Sequence, residues 1–240
     1  MTYGICNLSA IALRKEPRHG SEMVSQLLYN ELYMVLDKTL EWVLVQTDID
    51  RYQGWIQAKQ FSAMSDEGFN LLKGRKPYLI NKPFAEFRGK VLTLGTPLYE
   101  PHSDTIEAPT VFNPEMMVTY AKMLLDAPYL WGGRTIFGID CSGLVQVCAR
   151  LSGLLLPRDA SQQMNCGELV YFLQETQPGD LAFFGNEEGH ITHVGIIIGD
   201  EQIIHASGQV RIDYLDQTGI FNKERNEHTH RLQVIKRLSS

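Results

Sequence analysis

The feature that most constrains this chain is a cysteine at the predicted start of an amphipathic helix, in the run IDCSGLV at residues 139–145. From that cysteine onward, apolar residues recur at spacings of three and four and so share one helix face; they are Cys141, Leu144, Val145, Cys148 and Ala149. Asp140 occupies the N-cap position, Arg150 falls in the last turn, and Gly153 follows the end. The pattern predicts a helix of about three turns that begins at the cysteine.

A cysteine in a first helical turn has a distinctive electrostatic environment. Unpaired backbone N–H groups and the positive end of the helix dipole both favour a thiolate over a thiol at neutral pH. The position of Cys141 is therefore typical of an activated sulfur nucleophile. A cysteine on an apolar helix face is also an ordinary core residue, and residue type alone favours that interpretation. The presence or absence of histidines that could act with Cys141 distinguishes a catalytic cysteine from an ordinary core residue.

Composition indicates a globular protein and excludes several classes. The 240 residues are 44% hydrophobic and 21% charged, and the formal net charge of -6 argues against a nucleic-acid partner. No apolar run is long enough to span a membrane, and the N-terminus lacks an export signal, so we expect a cytoplasmic protein. The cysteines are too sparse for a disulfide scaffold, so reduced thiols are expected at Cys6, Cys141, Cys148 and Cys166.

The chain has a β-rich beginning and a mixed remainder. Residues 32–36, 42–47 and 52–56 are predicted strands of a small antiparallel barrel within residues 1–62. Residues 63–110 form either a second such unit or an extension of the first, together with a linker. Asn113 and Pro114 then open a helix, and its predicted apolar stripe consists of Met116, Tyr120, Met123 and Leu124.

Two histidines lie on a predicted hairpin. His193 starts one strand and His205 ends the next, an even separation. Side chains alternate between faces along a strand, so both histidines share a face if the connecting loop has an odd number of residues. We predict a three-residue loop at residues 199–201, which satisfies this condition. A strict two-residue turn at residues 200–201 without a bulge would separate the histidines.

A cysteine nucleophile and two histidines match the needs of a cysteine peptidase. Such an enzyme requires a thiol, a histidine that acts as base and then acid, and a polar group that orients the histidine. The competing interpretation is a zinc site built from Cys141, Cys166, His193 and His205, but the usual spacings of metal ligands are absent. We therefore expect no metal and no organic cofactor.

Five motifs together resemble the NlpC-type cell-wall cysteine peptidases. They are YLWGG at residues 129–133, GIDCSG at 138–143, PGDL at 178–181, HVGI at 193–196 and IHAS at 204–207. The resemblance covers about residues 113–215 and implies a papain-like α+β fold, with Cys141 as nucleophile, His193 as general base and His205 as the orienting residue. It also implies that the hydroxyl of Tyr129 helps the oxyanion hole; the alternative is a packed loop aromatic.

The N-terminal region resembles a bacterial SH3-like domain in the spacing of residues 14–17, 21–26 and 52–55. The implied architecture is a small all-β SH3-like barrel at residues 1–62, followed by an NlpC-type papain-like domain at residues 111–240. This pairing resembles the γ-D-glutamyl-L-diamino-acid endopeptidases that recycle wall peptides. The implied substrate is the murein peptide L-Ala-γ-D-Glu-diamino acid, cut after the γ-D-glutamyl residue through a thioester.

The resemblance also implies residues that bind the substrate. In this subgroup an acidic residue, a tyrosine and an aspartate read the free amine of L-Ala, and the matching positions are Glu22, Tyr52 and Asp140. Carboxylates around a desolvated ammonium group compensate its charge. A solvated surface charge, barrel packing and a helix cap are the alternative interpretations of these three. Further implied contacts, to the D-Glu carboxylate or as a wall of the site, come from Trp131, Ser142, Arg158 and Ser161.

Two other functions remain open at this point. A thiol-dependent amidase or acyltransferase acting on another substrate would not need the amine pocket of Glu22 and Tyr52. A non-catalytic protein that binds wall peptides would keep only the fold. The intact set of Cys141, His193 and His205 argues against this last alternative.

Overall fold

Antiparallel strands dominate the first of the two units into which the chain divides. The computed structural model describes residues 2–239. The first unit comprises the residues through Ala108 together with Leu130–Gly138, and the second comprises Pro109–Tyr129 and the residues from Ile139 onward. Within residues 2–239, no helix has both the length and the apolar character that crossing a bilayer requires.

The first unit begins with a seven-stranded antiparallel sheet. Its strands are β1 (Tyr3–Ile5), β2 (Ala10–Arg14), β3 (Met23–Leu28), β4 (Leu32–Lys38), β5 (Trp42–Thr47), β6 (Gln53–Gln57) and β7 (Ala63–Met64). They pair in the order β3-β2-β6-β5-β4-β1-β7. Alternating side chains point inward and form one core, which contains Cys6, Ile11, Leu13, Leu27, Tyr33, Val43, Val45 and Ile56. The strands predicted near residues 32–36, 42–47 and 52–56 are confirmed as β4, β5 and β6.

A helix and two small sheets follow. They consist of α1 (Asp66–Lys73), β8 (Tyr78–Ile80), β9 (Phe84–Phe87), β10 (Lys90–Thr93), β11 (Pro97–Leu98) and β12 (Thr105–Glu107). The pair β9-β10 turns through Arg88 and Gly89, whose φ angles of 50° and 72° suit a tight hairpin. The other sheet has the order β11-β8-β12. Whether this segment is a second SH3-like unit or an extension stays a prediction, as do the domain boundaries.

The rest of the described chain contains three α-helices and nine strands. In chain order they are α2 (Pro114–Lys122), β13 (Arg134–Thr135), β14 (Gly138–Ile139), α3 (Cys141–Leu151), α4 (Ala160–Gln163), β15 (Glu168–Val170), β16 (Leu181–Gly185), β17 (Ile191–Gly199), β18 (Gln202–Ser207), β19 (Gln209–Leu215), β20 (Gly219–Asn222) and β21 (Glu227–Arg237). Strands β16 to β21 pair in succession, and β21 pairs with both β16 and β20. These six strands therefore close into an antiparallel barrel, and β15 pairs with the end of β21.

Helix α2 begins as predicted but buries a different face. The Asn113 side chain accepts a hydrogen bond from the Met116 N–H at 3.1 Å, and Pro114 is the first helical residue. Of the predicted stripe, Tyr120 and Leu124 are buried, whereas Met116 and Met123 are each 37% exposed. The helix instead buries Met117, Val118, Tyr120 and Ala121. The prediction was wrong here because residues 116–118 are all apolar, so periodicity alone does not fix which of them faces the core.

The loop between β17 and β18 differs from the predicted loop, but His193 and His205 still lie on the same face of the hairpin. Gly199 pairs with Gln202, so the loop is a two-residue turn of Asp200 and Glu201, with φ angles of 49° and 54°. The predicted three-residue loop was therefore wrong. A bulge between Ile197 and Gly199 adds one residue to β17 and restores the parity that the longer loop would have supplied.

Candidate active site

Cys141 is the first residue of α3, as the sequence predicts. The Asp140 carboxylate caps the helix, and its Oδ1 accepts a hydrogen bond from the Gly143 N–H at 2.7 Å. The cysteine is 5% exposed, and its sulfur is hydrogen-bonded to the backbone of Val194, the neighbour of His193 on β17. This contact places the sulfur beside the strand that carries the predicted base.

The thiol of Cys141 does not have the electrostatics expected from its helix position. Burial raises the pKa of the thiol to about 11, and the negative charge of Asp140 adds to the rise. Other contacts lower the pKa, but by less than burial raises it; they are backbone hydrogen bonds at Val194 and Ser142 and the charge of Arg158. Desolvation therefore opposes the thiolate that the helix start favours. A thiol whose pKa is raised needs a base at the moment of attack.

A chain of hydrogen bonds leads inward from the predicted base. His193 Nε2 lies 2.8 Å from His205 Nδ1, and His205 Nε2 lies 3.0 Å from the Asp213 Oδ2. Arg211 donates to both oxygens of the same carboxylate, at 2.7 and 3.0 Å. His193, His205 and Asp213 are 6%, 1% and 8% exposed. The two predicted histidines therefore belong to a longer, buried relay.

The relay fixes which nitrogen carries each proton. Burial tends to raise the pKa of Asp213, but hydrogen bonds from His205 and Arg211 outweigh it and lower that pKa below its usual value. A carboxylate only accepts hydrogen bonds, so His205 Nε2 is protonated and His205 Nδ1 is an acceptor. His193 then donates through Nε2, and its Nδ1 keeps a lone pair. Burial lowers the pKa of His193 well below its usual value, and its histidine neighbours add to this effect, so the ring is neutral and able to take a proton.

Two residues of the site, Asp213 and a third histidine, His230, were not predicted from the sequence. In the β18-β19 pairing His205 stands opposite Arg211, so Asp213, two residues further along, shares the face of His205. A predicted register for this hairpin would have found the aspartate. His230 lies on β21 and stacks on His193 with ring centroids 4.1 Å apart. No local pattern signals it, because the contact depends on closure of the barrel.

Three residues expected to bind substrate form one buried network in the second unit. The Arg158 Nη2 donates to Asp140 Oδ2 at 2.6 Å, and its Nη1 donates to Asp140 Oδ1 at 3.0 Å and to Ser142 Oγ at 2.8 Å. Arg158 is 1% exposed. Asp140 is thus both a helix cap and the partner of a buried cation. The predicted contacts of these three side chains with substrate stay predictions.

The other predicted residues of the second unit are Tyr129 and Ser161. Burial raises the pKa of Tyr129 to about 12, and the nearby charges of Cys141 and Asp140 contribute. Its hydroxyl therefore keeps its proton and is able to donate a hydrogen bond at neutral pH. Ser161 is exposed on the short helix α4. The roles of Tyr129 in the oxyanion hole and of Ser161 in substrate binding stay predictions.

The first unit brings Glu22 and Trp131 together. The indole Nε1–H of Trp131 donates to Glu22 Oε1 at 2.8 Å, and Lys15 Nζ lies 3.4 Å from Glu22 Oε2. The Glu22 side chain is 40% exposed, so its charge is accessible. Tyr52 packs against the core of the first sheet. Barrel packing is thus observed for Tyr52, and its predicted contact with the substrate amine stays a prediction.

The zinc ligands considered from the sequence are not the ones that meet. Among the described residues, the converging side chains are those of His193, His205 and His230, whose ligand atoms lie within 4.8 Å of one another. Cys141 and Cys166 do not belong to this group.

Comparison with known proteins identifies both parts of the chain. Residues 126–229 match the NlpC/P60 family, and residues 13–61 match the bacterial dipeptidyl-peptidase SH3 domain. The chain is 27% identical over 229 residues to the γ-D-glutamyl-L-lysine dipeptidyl-peptidase of Bacillus cereus, an alignment that covers 78% of this chain and 68% of the relative. It is 26% identical over 248 residues to dipeptidyl-peptidase 6 of Lysinibacillus sphaericus, which covers 85% and 89% of the two chains.

A solved structure shares the fold over the whole length. The crystal structure of an NlpC/P60 family protein from Bacillus cereus matches with a TM-score of 0.81 at 22% identity, and the match covers 99% of this chain and 100% of that chain. These matches confirm the predicted α+β fold, with a papain-like domain preceded by an all-β SH3-like region. The chain is therefore a cysteine peptidase that carries an NlpC/P60 domain at residues 126–229 and a bacterial dipeptidyl-peptidase SH3 domain at residues 13–61.

Proposed function

We propose that this peptidase hydrolyses the γ-D-glutamyl–diamino acid bond of murein peptides that carry a free N-terminal L-Ala, during peptide recycling in the cytoplasm. The observation that carries the proposal is the buried relay from His193 through His205 to Asp213, whose first residue lies on the strand that contacts the Cys141 thiol. The relative from Bacillus cereus is named for a γ-D-glutamyl-L-lysine bond, which supports this choice of bond.

The relay accounts for the formation of an acyl-enzyme. His193 Nδ1 takes the proton of the Cys141 thiol while the sulfur attacks the γ-carbonyl carbon of D-Glu. The resulting imidazolium is stabilised by His205, which Asp213 holds in the required tautomer. The oxyanion of the tetrahedral intermediate meets the Cys141 N–H at the helix start and the protonated hydroxyl of Tyr129.

The remaining steps return the enzyme to its resting state. The C–N bond breaks as His193 gives its proton to the leaving amine, and the diamino acid departs. A water molecule then loses a proton to the same nitrogen and attacks the thioester, which releases L-Ala-γ-D-Glu and the thiol. Each step uses side chains of this chain and water.

Three residues are candidates for recognising the substrate amine, Glu22 and Tyr52 in the first unit and Asp140 in the second. Arg158 already compensates the Asp140 carboxylate through two hydrogen bonds. Within residues 2–239, the side-chain partners of the Glu22 carboxylate are the indole of Trp131 and the exposed Lys15. A less compensated carboxylate attracts an ammonium group more strongly, so Glu22 is the stronger candidate. Arg158, Ser142 and Ser161 are proposed to hold the D-Glu carboxylate.

The test is hydrolysis of L-Ala-γ-D-Glu-diaminopimelate followed by mass spectrometry. We expect the wild-type protein to release free diaminopimelate from the peptide with a free amine, and to lose most of this activity when the amine is acetylated. Cys141→Ala is expected to lower the rate by about 10⁴-fold or more, as the loss of a nucleophile does in other proteases.

Cys166→Ala is the matched control, because Cys166 is half-buried and lies outside the proposed site. It is expected to keep the wild-type rate. Equal hydrolysis of the free and acetylated peptides would remove the amine-reading role, and undiminished hydrolysis by Cys141→Ala would overturn the proposed nucleophile.

A further inference from the structure

The third imidazole beside the relay has no role in the proposed peptide hydrolysis. His230 stacks on His193 at an interplanar angle of 29°, and its ring centroid lies 5.6 Å from that of His205. The three histidines come from β17, β18 and β21 of one closed barrel. Their ligand nitrogens lie within 4.8 Å of one another. Three imidazoles held by separate strands at this spacing are a typical ligand set for zinc and similar ions.

Neighbouring groups orient these rings as they orient metal ligands. Asp213 binds His205 Nε2 at 3.0 Å and so leaves its Nδ1 facing the cluster. Thr229 Oγ1 lies 2.8 Å from His230 Nδ1 and so leaves Nε2 as the nitrogen for a ligand. A carboxylate behind a histidine fixes its tautomer and strengthens it as a ligand. His230 therefore has one nitrogen engaged and one available, whereas His205 Nδ1 accepts the relay hydrogen bond from His193 Nε2 and has to exchange that bond for the ion.

Of the three histidines, His230 is the one that lines a cavity of about 630 Å³. The lining consists of Gly185, Gln217, Thr218, His228, Thr229, His230, Arg231 and Leu232. His193 and His205 are almost completely buried. An ion that enters this cavity therefore meets His230 first, and the charge of Arg231 opposes its entry.

We propose that His193, His205 and His230 form a site for zinc or a similar divalent transition metal, and that occupation of this site reversibly switches off the peptidase. The His193 Nε2 and His205 Nδ1 atoms are 2.8 Å apart. Two nitrogens bound to one tetrahedral zinc at about 2.0–2.1 Å are separated by roughly 3.3 Å, so a small widening of this pair admits the ion.

The inhibition follows from the movement of one proton. Neutral His193 carries its single proton on Nε2 in the resting relay. When Nε2 binds the metal, that proton moves to Nδ1, and the lone pair that takes the thiol proton is lost. The bond from His193 Nε2 to His205 Nδ1 is replaced by two metal–nitrogen bonds, with no change in net protonation. This inhibition rests on the proposed function, whereas binding of the metal does not.

The binding test is a titration of the purified full chain with Co²⁺, followed by displacement with Zn²⁺. We expect one Co²⁺ per chain with the visible absorption of a nitrogen-ligated tetrahedral ion. His230→Asn is expected to weaken binding by at least about 10-fold, because even the loss of a group behind a metal ligand typically costs about 10- to 100-fold in affinity. His190→Asn, at an exposed histidine, and Cys141→Ala are expected to bind as the wild type does.

The inhibition test measures peptide hydrolysis at increasing Zn²⁺, with each variant scaled to its own metal-free rate. Wild type and His190→Asn are expected to lose activity and to regain it with EDTA, and His230→Asn is expected to require at least about 10-fold more Zn²⁺. Equal Co²⁺ affinity of wild type and His230→Asn would overturn the site. Binding that requires Cys141 would also overturn it. Metal bound through His230 without loss of activity would overturn the switch and the assignment of His193 as base.

Discussion

Asp213→Asn is expected to lower kcat for the murein peptide by about 10²–10⁴-fold and to change KM little, because it reverses the proton order of the relay. An asparagine held by Arg211 through its oxygen presents its NH2 group to His205 Nε2. His205 must then donate from Nδ1, His193 must accept at Nε2, and the proton of His193 moves to Nδ1. The base facing the thiol is lost although every side chain stays in place.

Asp216→Asn is the matched control for this prediction. Asp216 is a carboxylate in the loop between β19 and β20, and it binds an exposed histidine, His228, at 2.8 Å. Neutralising Asp216 is expected to leave kcat within about threefold of the wild-type value, because an exposed ion pair contributes little to stability. A kcat for Asp213→Asn equal to that of this control would show that the carboxylate does not set the tautomer.

Arg158→Met is expected to destabilise the second unit by about 3–5 kcal/mol, because it leaves the Asp140 carboxylate buried without its cation. Asp140 is 5% exposed, and two hydrogen bonds from the guanidinium compensate it. Methionine has a similar length, so the main change is the lost charge. Urea unfolding followed by circular dichroism measures the effect.

The double variant Asp140→Asn/Arg158→Met isolates the charge from the helix cap. Asparagine caps a helix about as well as aspartate, so the α3 start is preserved. We expect the double variant to recover about 2 kcal/mol or more relative to Arg158→Met, since no charge remains unpaired. Simple addition of the two single effects would mean that the pair is not coupled in the folded state.

The parts of the site that lie close together in the chain were predictable from sequence. Periodicity placed Cys141 at the start of α3, and Asp140 caps the helix as expected. The even separation of His193 and His205 led to a shared face, which their hydrogen bond requires. The turn that joins their strands was mispredicted, because a bulge leaves no clear signal in residue type.

The rest of the site depends on quantities that a sequence does not display. Asp213 required the register of β18 with β19, and His230 required the closure of β21 on the barrel. The raised pKa of Cys141 was not predicted, because the helix terminus is visible in a sequence, whereas the depth of burial that opposes a thiolate is not. The ion pair of Asp140 with Arg158 was not predicted, because the sequence does not show that these two residues meet in the fold.

The most direct measurement of the central claim is acid quenching of the wild-type protein during turnover of L-Ala-γ-D-Glu-diaminopimelate, followed by digestion and peptide mass spectrometry. Acid preserves thioesters, so the acyl-enzyme is trapped as it forms. We expect one L-Ala-γ-D-Glu acyl group on the peptide that contains Cys141, and none on the peptide that contains Cys166. An acyl group on another residue, with Cys141 unmodified, would contradict the assignment of Cys141 as the nucleophile.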